Sequence, residues 1–291
     1  MIHLTVGMLR NGKHDPTTMI DADNLWRASY TPDGPGAVHI TGLSTSQVDA
    51  VAFGPGGNWL LTTVEDMLGH TDHVPHIESC HHVVTQAQQR YGDFRFPRSH
   101  NPYHELLPAV LGQRVTAIEA MRQWRDLCVD LGEKAPGQLQ TLHLPPSPEA
   151  ILKTPYFVFH QYGIEQKRAM ALKNVARHFP WLMQLSQQRD ISPSQRTQEL
   201  TKIPGIGQWT AATSGAVAFG DPDALLVGDF HVKNNVSYAL TGRARGSDEQ
   251  MVELLRPYDG QRARVVKWLD LYGIRAPKFG PRQRIRSIVN R

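Results

Sequence analysis

The strongest candidate for chemistry in this sequence is a carboxylate at the start of a predicted helix. Asp229 follows an apolar run at 224–227 and Gly228, and a helical pattern resumes at about residue 230. A carboxylate in that position accepts hydrogen bonds from the first amides of the helix, which fixes its orientation and helps to keep it ionised. Asp229 is therefore either a helix cap alone or a capped carboxylate that is also held ready for catalysis.

The segment LTKIPGIGQWTAA at 200–212 predicts two helices that are joined by a very tight turn. The first helix must end before Pro204, because proline cannot continue the hydrogen-bond ladder. Gly205 and Gly207 allow the chain to reverse, since glycine adopts a positive φ without steric penalty. The second helix then starts just after Gly207, and the predicted hairpin as a whole spans 194–219.

The turn of this hairpin is a candidate binding site for a phosphate group. The backbone amides of Gly205, Gly207 and Thr210 lie at or near a helix N-terminus, where free N–H groups and the helix dipole favour an anion. An ordinary helical hairpin with a Pro-Gly turn is the structural alternative. The full pattern L-x-x-I-P-G-I-G-x-x-T-A between two helices favours a helix-hairpin-helix that contacts the DNA backbone without reading its sequence.

The elements that position these residues fall into two predicted domains within the 291 residues. Residues 1–93 have short β patterns at Leu25–Tyr30 and Ala37–Leu43, strong turn signals, and helices within 58–69 and 79–91. Residues 94–291 are mostly α-helical in pattern, so the predicted fold class is α+β. The helical patterns of this second part lie at about 104–111, 115–124, 148–153, 164–178, 194–203, 208–219, 230–240, 247–256 and 259–272.

Charge and composition restrict the partners only weakly. The formal net charge is +4 and the sequence pI is about 9.1, which is compatible with nucleic acid. Basic residues recur from residue 261 onwards against a single acid, Asp270. They form either a face that attracts polyanions or a solvated tail. The basic residues concerned are Arg262, Arg264, Lys267, Arg275, Lys278, Arg282, Arg284, Arg286 and Arg291.

Cysteine content and hydropathy exclude several classes of protein. Cys80 and Cys128 are too few for a disulfide framework or a four-cysteine iron–sulfur cluster, and they suit an intracellular compartment. The first residues lack the apolar stretch of a signal peptide, and no run is long enough for a membrane helix. We expect a soluble, cytoplasmic and monomeric protein that requires no cofactor.

The hairpin LTKIPGIGQWTAA and the later LLVGDFHVKNNV at 225–236 together resemble the helix-hairpin-helix DNA glycosylase superfamily. In that family a glycine- and proline-rich hairpin is followed about twenty residues later by an aspartate. The segments AVLGQRVT at 109–116 and LRPYDGQRARVV at 255–266 are similar to further family motifs. The similarity is closest to the bacterial 3-methyladenine-DNA glycosylase II branch and covers about 95–272. It implies a TATA-binding-protein-like β domain for the N-terminal part.

The resemblance implies an enzyme of base excision repair whose partner is double-stranded DNA with a damaged base. Such an enzyme extrudes its target nucleotide from the stack. As the N-glycosidic bond breaks, the sugar becomes positively charged, and Asp229 would stabilise that charge and orient or deprotonate the attacking water. Bifunctional members carry a Schiff-base lysine where this chain has Trp209, and neither Lys202 nor Lys233 matches that position. The expected enzyme is therefore monofunctional and leaves an abasic site.

Other roles also follow from the resemblance. Arg114, beside Gln113, occupies the place of the side chain that fills the gap left by the flipped nucleotide, although a surface arginine that caps the preceding helix is the alternative. The resemblance also implies a base pocket formed by Trp209, Phe230 and Thr213. Trp268 and Tyr272 are either pocket or core residues. The main-chain carbonyls of Thr201, Ile203 and Ile206 are implied ligands of a Na⁺ or K⁺ ion.

Aromatic pocket residues favour cationic alkylated purines, such as 3-methyladenine and 7-methylguanine. Thr213 stands where some relatives carry a tyrosine, so glycosylases for oxidised or deaminated bases (8-oxoguanine, hypoxanthine) are an alternative. A DNA-binding module without catalysis is a second alternative, which the presence of Asp229 disfavours. The polar segment GHTDHVPHIESCHH at 69–82 contains many possible metal ligands, but its spacing matches no compact zinc pattern.

Overall fold

The computed structural model describes residues 1–45 and 47–277, and it contains one antiparallel sheet and fourteen α-helices in those residues. The basic residues Lys278, Arg282, Arg284, Arg286 and Arg291 lie outside them. This combination of a separate sheet and many helices confirms the α+β prediction. A specific likeness of the N-terminal part to the TATA-binding protein stays a prediction.

The sheet has four strands in the order β1-β2-β3-β4, each antiparallel to the next along the chain. Both predicted β patterns form strands, and the turn between them closes where Thr31 pairs with Gly34. Because side chains alternate between the two faces of a sheet, the same strands serve two separate layers. The strands are β1 (Thr18–Ile20), β2 (Asn24–Thr31), β3 (Gly34–Thr41) and β4 (Asp49–Phe53).

Each face of the sheet is covered by a different part of the chain. On one face Leu25, Val38 and Ile40 pack in a buried cluster with Leu60 of a short helix. On the other face Ala28 and Ala37 pack against Leu142 and Leu144, which belong to the connection after the first long helices. The sheet is therefore enclosed by residues that are more than eighty positions apart in sequence.

The helices match most of the predicted patterns, with three differences. The predicted helix at 58–69 is two short helices, and helices at Ile2–Val6 and Phe179–Gln187 were not predicted. The last of these begins with Phe179-Pro180 directly after another helix, between the helices predicted at 164–178 and 194–203. The helices are α1 (Ile2–Val6), α2 (Gly57–Thr62), α3 (Val64–Met67), α4 (His82–Tyr91), α5 (Pro102–Leu111), α6 (Ala117–Leu131), α7 (Pro148–Lys153), α8 (Gln166–Arg177), α9 (Phe179–Gln187), α10 (Pro193–Glu199), α11 (Gln208–Ala218), α12 (Val232–Thr241), α13 (Asp248–Leu255) and α14 (Arg262–Leu271).

Helix α4 packs in one buried cluster with α12, α13 and α14. Val84 and Ala87 of α4 lie there with Val236, Met251 and Trp268. Helix α4 was predicted to belong to the N-terminal domain, whereas the helices that share its buried cluster lie in the helical part of the chain. The division of the chain at residue 93 stays a prediction.

Helix α5 joins the helical part of the molecule to the sheet through buried polar contacts. Arg27 of β2 forms a buried ion pair with Glu105 of α5, in which the side chains are only 1% and 9% exposed. The ring of His104 lies between the hydroxyl groups of Ser29 and Thr17, at 2.6 and 3.2 Å. Burial holds the pKa of His104 well below its ordinary value, so this imidazole is neutral.

The capping residue of α5 makes the same connection. Asn101 accepts from the amide of His104 at the helix start, and its Nδ2 donates to the carbonyl of Tyr30 at 2.7 Å. The N-terminal half of α5 is thereby fixed on the sheet, and the opposite end of the helix reaches Gln113 and Arg114. The sheet thus positions a loop that belongs to the candidate site.

Removal of Glu105 tests this connection. Glu105→Ala leaves the buried Arg27 charge without its partner, and we expect the free energy of unfolding to fall by about 3–5 kcal/mol in a urea titration. The double variant Arg27→Met/Glu105→Leu should regain more than half of that loss, because it removes both charges. Glu253→Ala breaks an exposed ion pair with Arg256 and serves as control, with no measurable change expected. A Glu105→Ala protein as stable as the control would contradict the assignment.

Candidate nucleic-acid interface and active site

The predicted hairpin is present, and residues within the hairpin itself determine its shape. Helix α10 is followed by a single 3-10 turn over Leu200–Lys202, and α11 starts at Gln208. Ile203 and Ile206 are 1% and 5% exposed, so two apolar side chains anchor the turn in the core. Pro204, which lies between them, is exposed. The turn therefore presents its backbone to solvent while its isoleucines hold it in place.

The two glycines of the hairpin are under different steric constraints. Gly205 has a φ of +94°, and a Cβ there would lie 2.8 Å from the Cβ of Ala171 in α8. Gly207 has a φ of −91°, and a Cβ there would meet nothing within 4 Å. The fold itself thus requires Gly205, whereas the protein's own packing does not require Gly207. An open glycine at a helix start leaves room for the close approach of another molecule.

The amides of the hairpin are placed as predicted for an anion. The first amide that bonds back into α11 is that of Ala211, which donates to the carbonyl of Gly207 at 2.9 Å. The amides that precede it in the first turn have no intrahelical acceptor. Thr210 is only 2% exposed, and it lies beneath the turn surface. Gly205 and Gly207 are the two predicted phosphate contacts that are exposed.

Gln113 connects the loop after α5 to the hairpin. Its Nε2 donates to the carbonyl of Gly205 at 3.0 Å and to Oγ1 of Thr210 at 2.9 Å. The sequence predicted Gln113 beside Arg114 in the duplex wedge, which stays a prediction, and its contacts with the hairpin were missed. No local signal could have revealed it, because the partners are 92 and 97 positions away along the chain.

Arg114 is exposed at the tip of the same loop, where its backbone adopts a φ of +58°. A left-handed conformation costs a residue with a side chain roughly 1–3 kcal/mol and persists only where the surroundings enforce it. The buried Arg168 supports the end of α5 just before this loop, by donating to the carbonyl of Leu111 at 2.7 Å and to Oε1 of Gln123 at 2.8 Å. Arg114 thus projects from a loop with a firmly supported base.

Asp229 is held through both of its carboxylate oxygens. Oδ1 accepts from the amides of His231 at 2.7 Å and Val232 at 3.0 Å, at the start of α12. Oδ2 accepts from the indole Nε1 of Trp209 at 3.1 Å. The predicted capping role and an oriented carboxylate thus coexist. Asp229 remains partly exposed, so the group is fixed in place and still open to a ligand.

A residue that the sequence did not single out supports the turn before Asp229. Oδ1 of Asp248 accepts from the amide of Gly228 at 2.8 Å, while Oδ2 pairs with Lys233 at 2.8 Å. The hydrogen bond from Lys233 lowers the pKa of Asp248, so this carboxylate stays ionised at neutral pH. Gly228 has a φ of +89°, which explains why a glycine precedes Asp229.

Trp209 brings the three parts of the site together. It lies in the first turn of α11, and its indole donates a hydrogen bond to Asp229. It also packs against the loop after α5, so closely that a Cβ on Gly112 would lie 3.1 Å from the indole ring. The other two predicted pocket residues differ in placement. The hydroxyl of Thr213 donates to the carbonyl of Trp209 within α11 at 2.8 Å, and Phe230 is 65% exposed. The aromatic groups therefore line an open surface beside Asp229.

The lysines near the site are engaged elsewhere. Lys202 pairs with Glu199 and Lys233 pairs with Asp248. The position next to Asp229 is filled by an indole, which has a hydrogen-bond donor but no nucleophilic amine. A lysine that attacks the sugar carbon would need a free amine at that position.

The carbonyl groups of the hairpin are compatible with the predicted cation. The carbonyls of Leu200, Pro204 and Gly205 accept hydrogen bonds from protein donors. That of Ile203 accepts one, from the amide of Ile206, and retains a second lone pair. For Thr201 and Ile206 no protein donor is found within residues 1–45 and 47–277. The three carbonyls predicted as ligands thus keep capacity to coordinate an ion.

Among the described residues, the arginines near the C-terminal end do not form one exposed face. Arg264 is fully buried, where it bonds to Asp72 and lies over the ring of Phe96 at 5.1 Å. Arg262 pairs with Asp223, and Arg275 pairs with Asp270. These arginines stabilise the packing of α14 in the part of the chain that the structure describes. Trp268 is completely buried, as expected for a core residue.

The histidine-rich segment is used in packing. Asp72 accepts from the amide of Phe96 at 2.7 Å, and the ring of His81 lies 2.6 Å from the hydroxyl of Tyr258. Burial raises the pKa of Tyr258 to about 12. No group of three or more His, Cys, Asp or Glu side chains that could hold a metal ion is found among the described residues. The same residues include no helix that is long and apolar enough to cross a membrane.

Comparison with known proteins gives a clear result at the level of structure. No family model and no curated protein sequence matches the chain. A 3-methyladenine DNA glycosylase from Archaeoglobus fulgidus matches 94% of both chains with a TM-score of 0.72 at 19% sequence identity. A Clostridium acetobutylicum 8-oxoguanine glycosylase/lyase, in complex with double-stranded DNA, matches 89% of this chain and 88% of its own with a TM-score of 0.60 at 11% identity.

The chain shares the fold of these DNA glycosylases. The structures that it resembles are helix-hairpin-helix glycosylases, as the hairpin motif predicted. They include enzymes named for an alkylated base and enzymes named for an oxidised base, so the glycosylase fold by itself does not select between these substrates.

The two hairpin glycines provide a matched pair of substitutions. Gly205→Ala combines a left-handed backbone with a steric overlap, and we expect it to lower the free energy of unfolding by about 2–4 kcal/mol. Gly207→Ala meets no atom within 4 Å and should leave stability within about 0.5 kcal/mol of the parent protein. Thermal or urea unfolding checks both. Equal effects of the two substitutions would show that the hairpin has a different geometry.

Proposed function

We propose that this protein is a monofunctional DNA glycosylase of base excision repair, which hydrolyses the N-glycosidic bond of flipped-out alkylated purines and leaves an abasic site. One observation carries the proposal. Asp229 is partly exposed and fixed through both oxygens, and Trp209 links it directly to a hairpin that presents its backbone to solvent. A phosphate-binding turn and a catalytic carboxylate are the two groups that this reaction requires on one surface.

The chemistry depends on a charge that develops as the bond breaks. The departing base leaves a sugar with oxocarbenium character, and a carboxylate about 4 Å away contributes on the order of 4 kcal/mol at an effective dielectric of about 20. That energy corresponds to roughly a thousandfold in rate if it is realised in the transition state. Because three donors already orient Asp229, no reorganisation is needed at the moment of reaction. The same carboxylate can orient or deprotonate the attacking water.

The remaining residues position the substrate. The amides at Gly205 and Gly207 grip a phosphate of the strand beside the flipped nucleotide, and a Na⁺ or K⁺ ion on the carbonyls of Thr201, Ile203 and Ile206 would strengthen that grip electrostatically. Arg114 enters the duplex, where its planar guanidinium can stack on the neighbouring bases and bond to the orphaned partner. The protein acts on double-stranded DNA as a monomer.

The aromatic surface beside Asp229 favours alkylated purines. Trp209 and the exposed Phe230 can stack on an extruded base, and a cationic N-alkylpurine gains roughly 0.5–2 kcal/mol from such rings. Its positive charge also makes it a better leaving group, so an open surface suffices for modest recognition. Excision of 8-oxoguanine or hypoxanthine is the second candidate, because an 8-oxoguanine glycosylase/lyase shares the fold.

Substitution of Asp229 tests the catalytic assignment. Asp229→Asn keeps a hydrogen-bonding side chain of the same size but removes the charge, so we expect base release from methylated duplex DNA to fall about a thousandfold. Binding to a duplex with an abasic-site analogue should change little, since the hairpin is intact. Release is measured under single-turnover conditions by chromatography of the freed bases.

Asp33→Asn serves as a matched control, because Asp33 is exposed at the turn between β2 and β3. Unchanged release by Asp229→Asn would remove the catalytic role. Parallel duplexes with 3-methyladenine, 7-methylguanine, hypoxanthine and 8-oxoguanine identify the substrate class. Faster release of either of the last two would replace the alkylpurine proposal with the second candidate.

Within residues 1–45 and 47–277 the hydrogen-bond donors to Asp229 are the indole of Trp209 and two backbone amides, with no lysine among them, and this predicts the form of the product. The protein should generate abasic sites without strand cleavage, and nicks should arise only after treatment with alkali. The measurement is denaturing electrophoresis of a labelled duplex, with and without alkali. A covalent protein–DNA complex trapped by borohydride would reveal a Schiff base and contradict the monofunctional assignment.

A further inference from the structure

A groove of about 310 Å³ lies directly beside the hairpin, on the side formed by α8. It is lined by residues of the exposed face of α8 and by the turn itself. These residues are Gln166, Lys167, Met170, Ala171, Asn174, Pro204 and Gly205. Because Gly205 packs on Ala171 without room for a side chain, the face of α8 and the hairpin form one continuous surface.

One hydrogen-bonded chain fixes an arginine at the edge of this surface. Nδ2 of Asn174 donates to the carbonyl of Pro204 at 2.9 Å, and Oδ1 of Asn174 accepts from Arg177 at 2.7 Å. The side-chain amide therefore joins the guanidinium of Arg177 to the turn of the hairpin. Arg177 is exposed and uses one N–H in this bond, so its other donors are available to a ligand.

The charges around the groove leave a net positive site. Arg168 pairs with Glu165, and Lys202 pairs with Glu199, so the neighbouring carboxylates already have partners. Within residues 1–45 and 47–277, neither Lys167 nor Arg177 belongs to an ion pair. The two cations lie ten residues or nearly three turns apart on α8, about 80° from each other around the helix axis, with Lys167 in the groove and Arg177 at its edge. Such an arrangement suits a polyanion that runs along the groove.

We propose that this groove is a second binding site for the phosphate backbone of DNA, in which Lys167 and Arg177 contact phosphates next to the one held by the hairpin. The inference rests on the proposed glycosylase function and extends its DNA contact surface beyond the hairpin. The groove along α8 borders the exposed Gly205, so a backbone strand held at the hairpin can continue along it, and the unpaired cations favour that path. The contacts position DNA and contribute no sequence preference.

Salt dependence measures these contacts directly. Each phosphate that a protein cation neutralises releases counterions, and the slope of log Kobs against log salt changes by about 0.9 per contact on duplex DNA. Lys167→Gln and Arg177→Gln should each reduce the slope by about that amount and weaken binding by about fivefold to tenfold at ~0.1 M salt. The double variant should lose about twice as much slope. The probe is a short duplex with an abasic-site analogue, and the readout is fluorescence anisotropy over a series of NaCl concentrations.

Three controls separate this site from general effects. Arg90→Gln on α4 and Lys134→Gln near the sheet remove exposed charges elsewhere and should leave the slope unchanged. Arg177→Lys keeps the charge and should retain most of the slope.

The outcomes distinguish the two proposals. If the parent protein binds and processes damaged DNA but the double variant has an unchanged slope, the groove does not bind phosphate and the inference is wrong. If the parent protein neither binds DNA nor releases a base, the proposed function itself fails. A reduced slope for the double variant, with parental slopes for Arg90→Gln and Lys134→Gln, supports the site.

Discussion

The hydrogen bond from the indole of Trp209 to Asp229 is the contact on which the candidate site depends. Trp209 belongs to the first turn of α11, and Asp229 precedes α12, so the bond joins the helix of the hairpin to the helix that the carboxylate caps. The turn and the carboxylate therefore cannot shift independently. An enzyme that grips a backbone phosphate at one point and attacks a sugar at another requires this fixed separation.

Close approach between helices makes that geometry possible, and small residues allow it. Gly112 leaves space for the ring of Trp209, Gly205 rests on Ala171, and Gly215 of α11 faces Thr197 of α10. Any side chain at these positions would separate the elements by the width of a methyl group or more. The backbone carbonyls and amides of the turn are thus brought within reach of Gln113, which locks the loop after α5 to the hairpin.

The sheet contributes to the site although no strand reaches it. It anchors the start of α5 through the pair of Arg27 and Glu105 and through the neutral His104, and the rigid helix transmits that position to Gln113 and Arg114. Buried polar contacts of this type are satisfied in only one docking geometry, so they specify orientation as well as adding stability. The site itself stays open, with Phe230 exposed and Asp229 partly exposed; under the proposed function an extruded nucleotide would fill the space between Phe230, Trp209 and Asp229.

Local stereochemistry made much of this protein predictable from sequence. The hairpin follows from Pro204 and Gly205, which determine where a helix ends and how the chain reverses, and the capping role of Asp229 follows from a carboxylate after Gly228. The strand pair follows from alternation and turn signals between residues 24 and 41. Each of these features depends on residues within a few positions of one another, so the sequence alone determines them.

Tertiary structure decided the contacts that local patterns do not encode. The sequence pattern placed Arg264 in a basic face or a solvated tail. In the structure it is buried and bonds to Asp72, which lies 192 positions away. Gln113 was predicted for the duplex wedge, and its hydrogen bonds to the hairpin were not foreseen; Trp209 bonds to the carboxylate as well as lining the surface beside it. The physical reason is the same in each case. A hydrogen bond between distant residues depends on how whole helices dock, and docking is determined by the packing of the entire core and not by the residues next to the bond.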